Sequence, residues 1–247
     1  MSDAGRIARR FEAAAATYEQ ASPIPRRIAE ALALDIAATG LATGGRVLEL
    51  GCGTGHLTRA LAPRLEPRLW IASDLAPGML TALRAGLRHP ALTTAVIDAA
   101  RPALAPGFDL VCSSLTLQWL PDPAAVVDRW RAMVRPGGLL AFSTLLDGAF
   151  GQWRRAVVAA GAPEPGPALP ALADWQAWLG PGAHIRTLDL VERHVDGLSF
   201  LKAARRAGVD ASVERPLSAG AMRRALTSFE AGGAAITYRA ALIVLRL

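Results

Sequence analysis

The chain has 247 residues, 52% of them hydrophobic, with 27 basic and 21 acidic side chains and a formal net charge of +6. That length accommodates one sizeable α/β domain with a lobe or insertion. No apolar run of about 18 residues is free of charges or breakers, and the ending AAITYRAALIVLRL is interrupted by Arg239 and Arg246, so no membrane span is expected.

The first residues, MSDAGRIARRF, carry basic side chains with no apolar stretch behind them, which argues against a signal peptide and makes a cytoplasmic chain the default. Cys52 and Cys112 lack the spacing of a disulfide framework or a zinc site, and no metal is expected. Lys202 is the only lysine. The arginines are scattered and aromatics are few, which argues against a nucleic-acid stripe but leaves a basic face open to an acidic partner. Nothing repeats at a fixed period, and the oligomeric state is not legible.

Two helical stretches come first. RIARRFEAAAATYEQ and IPRRIAEALALDIAATG space apolar residues three and four apart, and Gly40 and Gly44–Gly45 supply stop signals. Strands and helices then alternate: RVLEL a strand, HLTRALAPRL a helix, LWIASDL a strand, PGMLTALRAGL a helix. TTAVIDA and FDLVCSS are strands, AAVVDRWRAMV is a helix, and GLLAFSTL is a strand after a turn at Arg135–Pro136–Gly137–Gly138. Strands separated by such helices imply parallel βαβ units with right-handed crossovers. Residues 147–183, interrupted by Pro, Gly and Trp, read as an irregular helical insertion. HIRTLDLVERHV and AITYRAALIVLRL alternate as two closing strands antiparallel to each other, with helices at 198–207 and 218–230 between them. The expected architecture is a single α/β domain: a helical segment at 1–44, a core at 45–146, and lid insertions with closing strands at 147–247.

The first strand runs into Gly51-Cys52-Gly53-Thr54-Gly55-His56. A dinucleotide-binding turn has its third glycine one position later, where His56 stands here. A phosphate loop needs Gly-Lys-Ser/Thr, which is absent. The turn therefore allows close backbone approach to a ligand without the features that hold phosphate. Glu49, just before it, repels phosphate but can accept a hydrogen bond from an ammonium group. Asp74, ending the next strand, can accept both hydroxyls of a ribose, and Asp98, ending the one after, can accept from the exocyclic amine of an adenine. One acid each for ammonium, ribose and base, with no phosphate, is the pattern expected for S-adenosylmethionine. Taken singly, each part has a plainer explanation: a tight strand-to-helix turn, or a strand-end Asp that caps a helix.

VLELGCGTGHLT, SDLAPGML, FDLVCSS and MVRPGGLLAFSTL resemble the class I S-adenosylmethionine-dependent methyltransferases over roughly residues 40–146. The resemblance implies a Rossmann-like, seven-stranded, mostly parallel sheet with an antiparallel last strand, and a cofactor over the glycine turn. It implies cofactor contacts from Glu49, Gly51, Cys52, Gly53, Gly55, Asp74, Leu75, Met79, Asp98, Ala99 and Ser114. A narrower similarity covers nearly the whole chain. RRFEAAAATYEQASPIPRRIAEAL, SSLTLQWLPDP, FSTLLDGAFGQWRRA, GLSFLKAARRAGV and ITYRAALIVL resemble the malonyl-[acyl-carrier protein] O-methyltransferases of biotin synthesis. These methylate the free carboxylate of a malonyl thioester, which implies an acyl-carrier protein bearing malonyl as partner. The sequence departs from the pattern at Ser114, where Asn is frequent, and at Ala76, where Ser is frequent.

A carboxylate acceptor is already an anion at neutral pH and needs no general base, so catalysis would rest on positioning and water exclusion. This agrees with four dispersed histidines, His56, His89, His184 and His194, none with an evident acid partner; His56 reads as a helix-start residue. Tyr18, closing from the N-terminal helix, and Gln118, after the fourth strand, are the expected positioning contacts; a buried phenol and a surface amide are their alternatives. Lys202, Arg205 and Arg206 in LKAARRAG are candidates for the seat of the malonyl carboxylate, for contact with the acidic carrier, or for a solvated face. Trp119 and Trp153 read as core. The rival functions are a non-catalytic binding module and a small-molecule methyltransferase for another carboxylic acid or a quinol.

Overall fold

The computed structural model describes residues 3–41, 43–209 and 217–247. Helices α1 (Asp3–Ala14), α2 (Tyr18–Ala21) and α3 (Pro23–Ala37) precede the first strand. The spacing of RIARRFEAAAATYEQ predicts one helix, but α1 and α2 are separated by a turn. There the Thr17 N–H and hydroxyl both donate to the Ala14 carbonyl, at 2.9 and 3.2 Å. Pro23, whose φ suits a first helical position, then starts α3. That helix buries Ile24, Ile28, Leu32 and Ile36 on one face.

The core alternates β1 (Arg46–Leu50), α4 (His56–Leu61), β2 (Leu69–Asp74), α5 (Pro77–Gly86), β3 (Leu92–Val96), β4 (Phe108–Ser114), α6 (Pro123–Arg131) and β5 (Val134–Leu145). It is followed by α7 (Gly151–Ala159), α8 (Leu172–Leu179), β6 (Ala183–Arg193), α9 (Gly197–Arg206), α10 (Ala219–Ala231) and β7 (Ala235–Arg246). The seven strands are ordered β3-β2-β1-β4-β5-β7-β6. β1 to β5 are parallel, and β7 runs antiparallel to both β5 and β6.

Successive strand residues point to opposite faces, and both faces are covered. Val47, Leu110 and Leu139 join α3 and α4 in one buried cluster. Their neighbours Leu48, Val111 and Leu140 join Trp130 of α6 and Trp175 of α8 in another. Each such aliphatic side chain contributes about 2 kcal/mol on burial. A third cluster, of Trp153, Phe200, Phe229 and Ile236, ties α7, α9 and α10 to β7.

The expected turn at 135–138 lies inside β5. The register with β4 passes from Phe108↔Val134 to Leu110↔Leu139, so the Arg-Pro-Gly-Gly segment forms a bulge rather than a break. Both cysteines are free and buried. No helix among the described residues is long and apolar enough to cross a membrane.

Candidate active site

The strand order reverses between β1 and β4, and ligands of open parallel sheets sit at that crevice, beyond the strands' C-terminal ends. Gly51 and Gly53 of the turn have φ of +65° and +54°, where glycine is favoured. A Cβ on Gly51 would collide with Thr116, and one on Gly55 with Leu83. Gly53 faces nothing within 4 Å. The outer glycines thus let the β4 exit and α5 close on the turn, while Gly53 leaves an open floor.

Three acids surround that floor. Glu49 is buried in β1, and its Oε2 accepts from the Thr58 hydroxyl of α4 at 2.9 Å. Burial pushes its carboxyl up to about 8, against the lowering effect of that hydrogen bond. Asp74 bridges turn and helix: Oδ2 accepts from the Gly53 N–H and Oδ1 from the Ala76 N–H, each at 2.9 Å. Burial raises its pKa despite those bonds. Asp98 accepts from the Ala100 N–H at 2.9 Å, so it caps its own loop and still lines the cavity.

The cavity brings together Glu49, Gly51, Cys52, Gly53 and Asp74 with Leu75, Met79, Asp98, Ala99 and Ser114. Of the residues expected there, Gly55 alone is outside the lining. Phe11, Leu115, Thr116 and Trp119 also line it and were not anticipated. Leu115 has φ +53°, a strained value for a non-glycine residue that recurs at functional loops.

Tyr18 closes the cavity from α2. Its neighbours fasten that helix down: Glu19 pairs with Arg59 at 2.6 Å and accepts from the Thr54 hydroxyl at 2.8 Å, and Ser22 Oγ lies 2.8 Å from His56 Nε2. Burial raises the Tyr18 hydroxyl, with Asp74 and Glu19 adding to it, and pushes His56 down to about 4. His56 therefore starts α4 as a neutral ring. It lies 3.8 Å from Glu19, and His194 lies 3.8 Å from Glu192, so two histidines have the acid neighbours that linear spacing concealed.

A second cavity shares the wall of Phe11, Tyr18, Pro25, Leu115 and Trp119. Gln118 lines it; its Nε2 donates to the Leu115 carbonyl at 2.7 Å, and its Oε1 is buried without a partner. Trp153 belongs both to the third core cluster and to this lining, and Trp119 to both cavity walls. Helix α9 presents Phe200, Ala203 and Ala204 to the cavity, with Ala207 just after it. Lys202, Arg205 and Arg206 are exposed on its other side, so they do not seat a ligand inside. Among the described residues, the cation in the lining is Arg154 of α7.

The first cavity is lined by three carboxyls and by no lysine or arginine among the described residues. No His, Cys, Asp and Glu group among them could hold a metal ion. Buried acids without a basic partner fit a ligand carrying positive charge and no phosphate. Together with the sheet order, this defines a class I S-adenosylmethionine-dependent methyltransferase.

Residues 48–140 match the family described as methyltransferase domain. The chain is 31% identical over 242 residues to a malonyl-[acyl-carrier protein] O-methyltransferase of Magnetococcus marinus, covering 95% of this chain and 89% of that one. It is 42% identical over 236 residues to the biotin biosynthesis bifunctional protein BioCD of Bordetella avium, covering 94% of this chain and 50% of that one. The chain thus spans half the length of that bifunctional relative. Among solved structures, the YcgJ protein of Bacillus subtilis superposes with TM-score 0.61 at 15% identity, over 87% of this chain and 97% of that one. The magnesium protoporphyrin IX methyltransferase of Synechocystis with bound SAH gives 0.58 at 17%, over 90% and 83%; both likenesses concern the fold. The chain belongs to the malonyl-[acyl-carrier protein] O-methyltransferase family.

Proposed function

We propose that this chain, in the cytoplasm, transfers a methyl group from S-adenosylmethionine to the free carboxylate of malonyl carried on an acyl-carrier protein. The product is the methyl ester that primes pimeloyl synthesis for biotin. The observation that carries this reading is the second cavity. It meets the acid-lined cavity along Tyr18 and Trp119, has aromatic walls including Phe150 and Phe200, and is closed by a helix with three outward cations. Lys202, Arg205 and Arg206 make no ion pair among the described residues, and exposed Leu198 and Val195 lie just before them in sequence. Cations beside apolar side chains suit an acidic carrier.

When bound, the donor supplies an electrophilic methyl group on a sulfonium. Residues 45–146 would hold it: Glu49 at the ammonium, Asp74 at the ribose hydroxyls and Asp98 at the adenine amine. Gly51, Cys52 and Gly53 form the floor, Leu75, Met79 and Ala99 pack beside it, Ser114 stands at the edge, and Gly55 keeps the turn closed. Residues 147–247, together with α1, α2 and the β4 exit, shape the acceptor side. The acceptor carboxylate is ionised at neutral pH, so no proton has to be removed. Tyr18, kept protonated by burial, and Gln118 orient it as neutral partners. An arginine pair would hold the oxygen more tightly in the ground state and lower its reactivity. Phe11, Tyr18 and Trp119, whose rings meet edge-on at 6.2 and 5.5 Å around Phe11, keep water from the reacting pair.

The pairing of His194 with Glu192 favours a second reading, a quinol or other hydroxyl acceptor whose proton the imidazole would take. Mass spectrometry of methyl transfer to malonyl-carrier protein, malonyl-CoA, free malonate and a quinol separates the two. One methyl gained by the malonyl thioester and removed by mild ester hydrolysis supports the carboxylate reading. Methylation of the quinol alone supports the other.

A further inference from the structure

The acceptor cavity contains two polar side chains that methylation of a carboxylate does not require. Glu192 near the end of β6 and His194 just beyond it stand two residues apart and both line the cavity. The Tyr238 hydroxyl donates to Glu192 Oε2 at 3.3 Å, and His194 Nε2 lies 3.8 Å from the same oxygen. The His194 side chain is 8% exposed, and its Nε2 has no hydrogen-bond partner. Glu192 makes no ion pair with arginine or lysine among the described residues. Arg154, the cation of this lining, is committed to Glu164 at 3.0 Å and to the Pro167 carbonyl at 2.8 Å.

We propose that Glu192 is a specificity residue, which admits the uncharged, amide-bearing arm of a malonyl thioester and turns away a free dicarboxylate. The inference rests on the acceptor reading above. A malonyl thioester brings one negative charge, which belongs at the Tyr18 and Trp119 wall next to the donor. Its other end is neutral and offers amide N–H groups, which a carboxylate accepts strongly. The unpartnered ring nitrogen of His194 provides a second polar contact for the same arm. Free malonate would bring a second carboxylate into this largely apolar chamber, where repulsion from Glu192 is weakly screened. The remaining lining, with Phe150, Trp153 and Phe200, is largely apolar and reads shape, and its cation Arg154 is already paired with Glu164.

The test measures kcat/KM by mass spectrometry for malonyl-carrier protein and for free malonate in the wild type, Glu192→Gln and Glu192→Asp. Stabilisation by S-adenosylhomocysteine in all three verifies that each variant folds and binds the donor. Glu192→Gln should improve methylation of malonate relative to the thioester by about tenfold or more, chiefly through a lower KM for malonate. Glu192→Asp, which keeps the charge, should retain the wild-type preference. A preference in Glu192→Gln within twofold of wild type overturns the inference while leaving the acceptor reading intact. Loss of transfer to both acceptors overturns it as well, because Glu192 would then belong to the reaction itself. Failure of the wild type to methylate the thioester, with the donor still bound, removes the acceptor reading and this inference together.

Discussion

Glu49 supplies the most quantitative test of the donor site, through the cost of its burial. The carboxyl rises from 4.5 to about 8, with desolvation the main cause. Between those values the folded protein retains a proton that the unfolded chain has released. Stability is therefore greatest below the unfolded value, falls as pH rises, and levels off above the folded one. At ~1.36 kcal/mol per pH unit, the difference between the plateaus is on the order of 5 kcal/mol. Glu49→Gln removes the titration while keeping an oxygen for the Thr58 hydroxyl. In the ligand-free protein the variant and wild type should melt at similar temperatures near pH 5. By pH 9 the variant should melt higher by roughly 10 °C, taking about 2–4 °C per kcal/mol at this size. Scanning calorimetry from pH 5 to 9 on both proteins measures this. Parallel melting curves would refute the argument that Glu49 is an uncompensated buried acid. Calorimetric binding of S-adenosylhomocysteine near pH 7 in two buffers of different ionisation enthalpy supplies an independent check. If the ligand's ammonium restores the carboxylate, wild type releases close to one proton and Glu49→Gln none.

Asp74→Ala should weaken S-adenosylhomocysteine binding by about 2 kcal/mol or more in titration calorimetry, since it removes charge-assisted hydrogen bonds; an unchanged affinity would contradict a ribose role. Gly51→Ala and Gly53→Ala both place a side chain at positive φ, but only the first meets Thr116. Gly51→Ala should therefore lower the melting temperature clearly more than Gly53→Ala, while Gly53→Ala mainly weakens ligand binding; equal melting temperatures would contradict the close approach. Reversing Arg205 and Arg206 to Glu should raise the KM for malonyl-carrier protein about tenfold in low salt and less in high salt, with donor affinity intact. An unchanged KM would return these residues to a plain solvated face.

The lining of the acid-lined cavity was legible because it is local. Glu49 and Asp74 lie at the ends of β1 and β2 and Asp98 two residues beyond β3, each strand is announced by its apolar run, and the order of the acids follows the chain. The glycine turn was legible for the same reason, although only the structure separates Gly53, with open space above it, from Gly51 and Gly55, which serve contacts within the protein. Two local errors have local causes. The Ala14–Thr17 turn interrupts an alanine-rich stretch that offers no breaker, and the Arg-Pro-Gly-Gly segment is strand-like because the β4 partner tolerates a bulge. Lys202, Arg205 and Arg206 could be placed on a helix from their spacing, but which side of it faces the cavity depends on how α9 packs against α2 and α10.

The second cavity was hidden for a more general reason. Its lining comes from α1, α2, the β4 exit, α7, the segment at 165–169, β6, α9 and β7, so no short window contains it. In one place the usual rule also points the wrong way. Along Val191-Glu192-Arg193-His194-Val195, period-two patterning assigns the valines to the interior and the acid and imidazole to solvent. The molecule does the reverse: Val191 is 50% and Val195 95% exposed, while the Glu192 and His194 side chains are 20% and 8% exposed. Leu188 and Leu190, in phase with Glu192 and His194, pack against the core, so the strand keeps its register and its polarity inverts partway along. An inversion of this kind costs stability twice, by burying polar groups and by exposing apolar ones. Local rules are broken at such cost chiefly where a site requires it, which is why the end of β6, and not the longer basic helix beside it, is the place to look for acceptor choice.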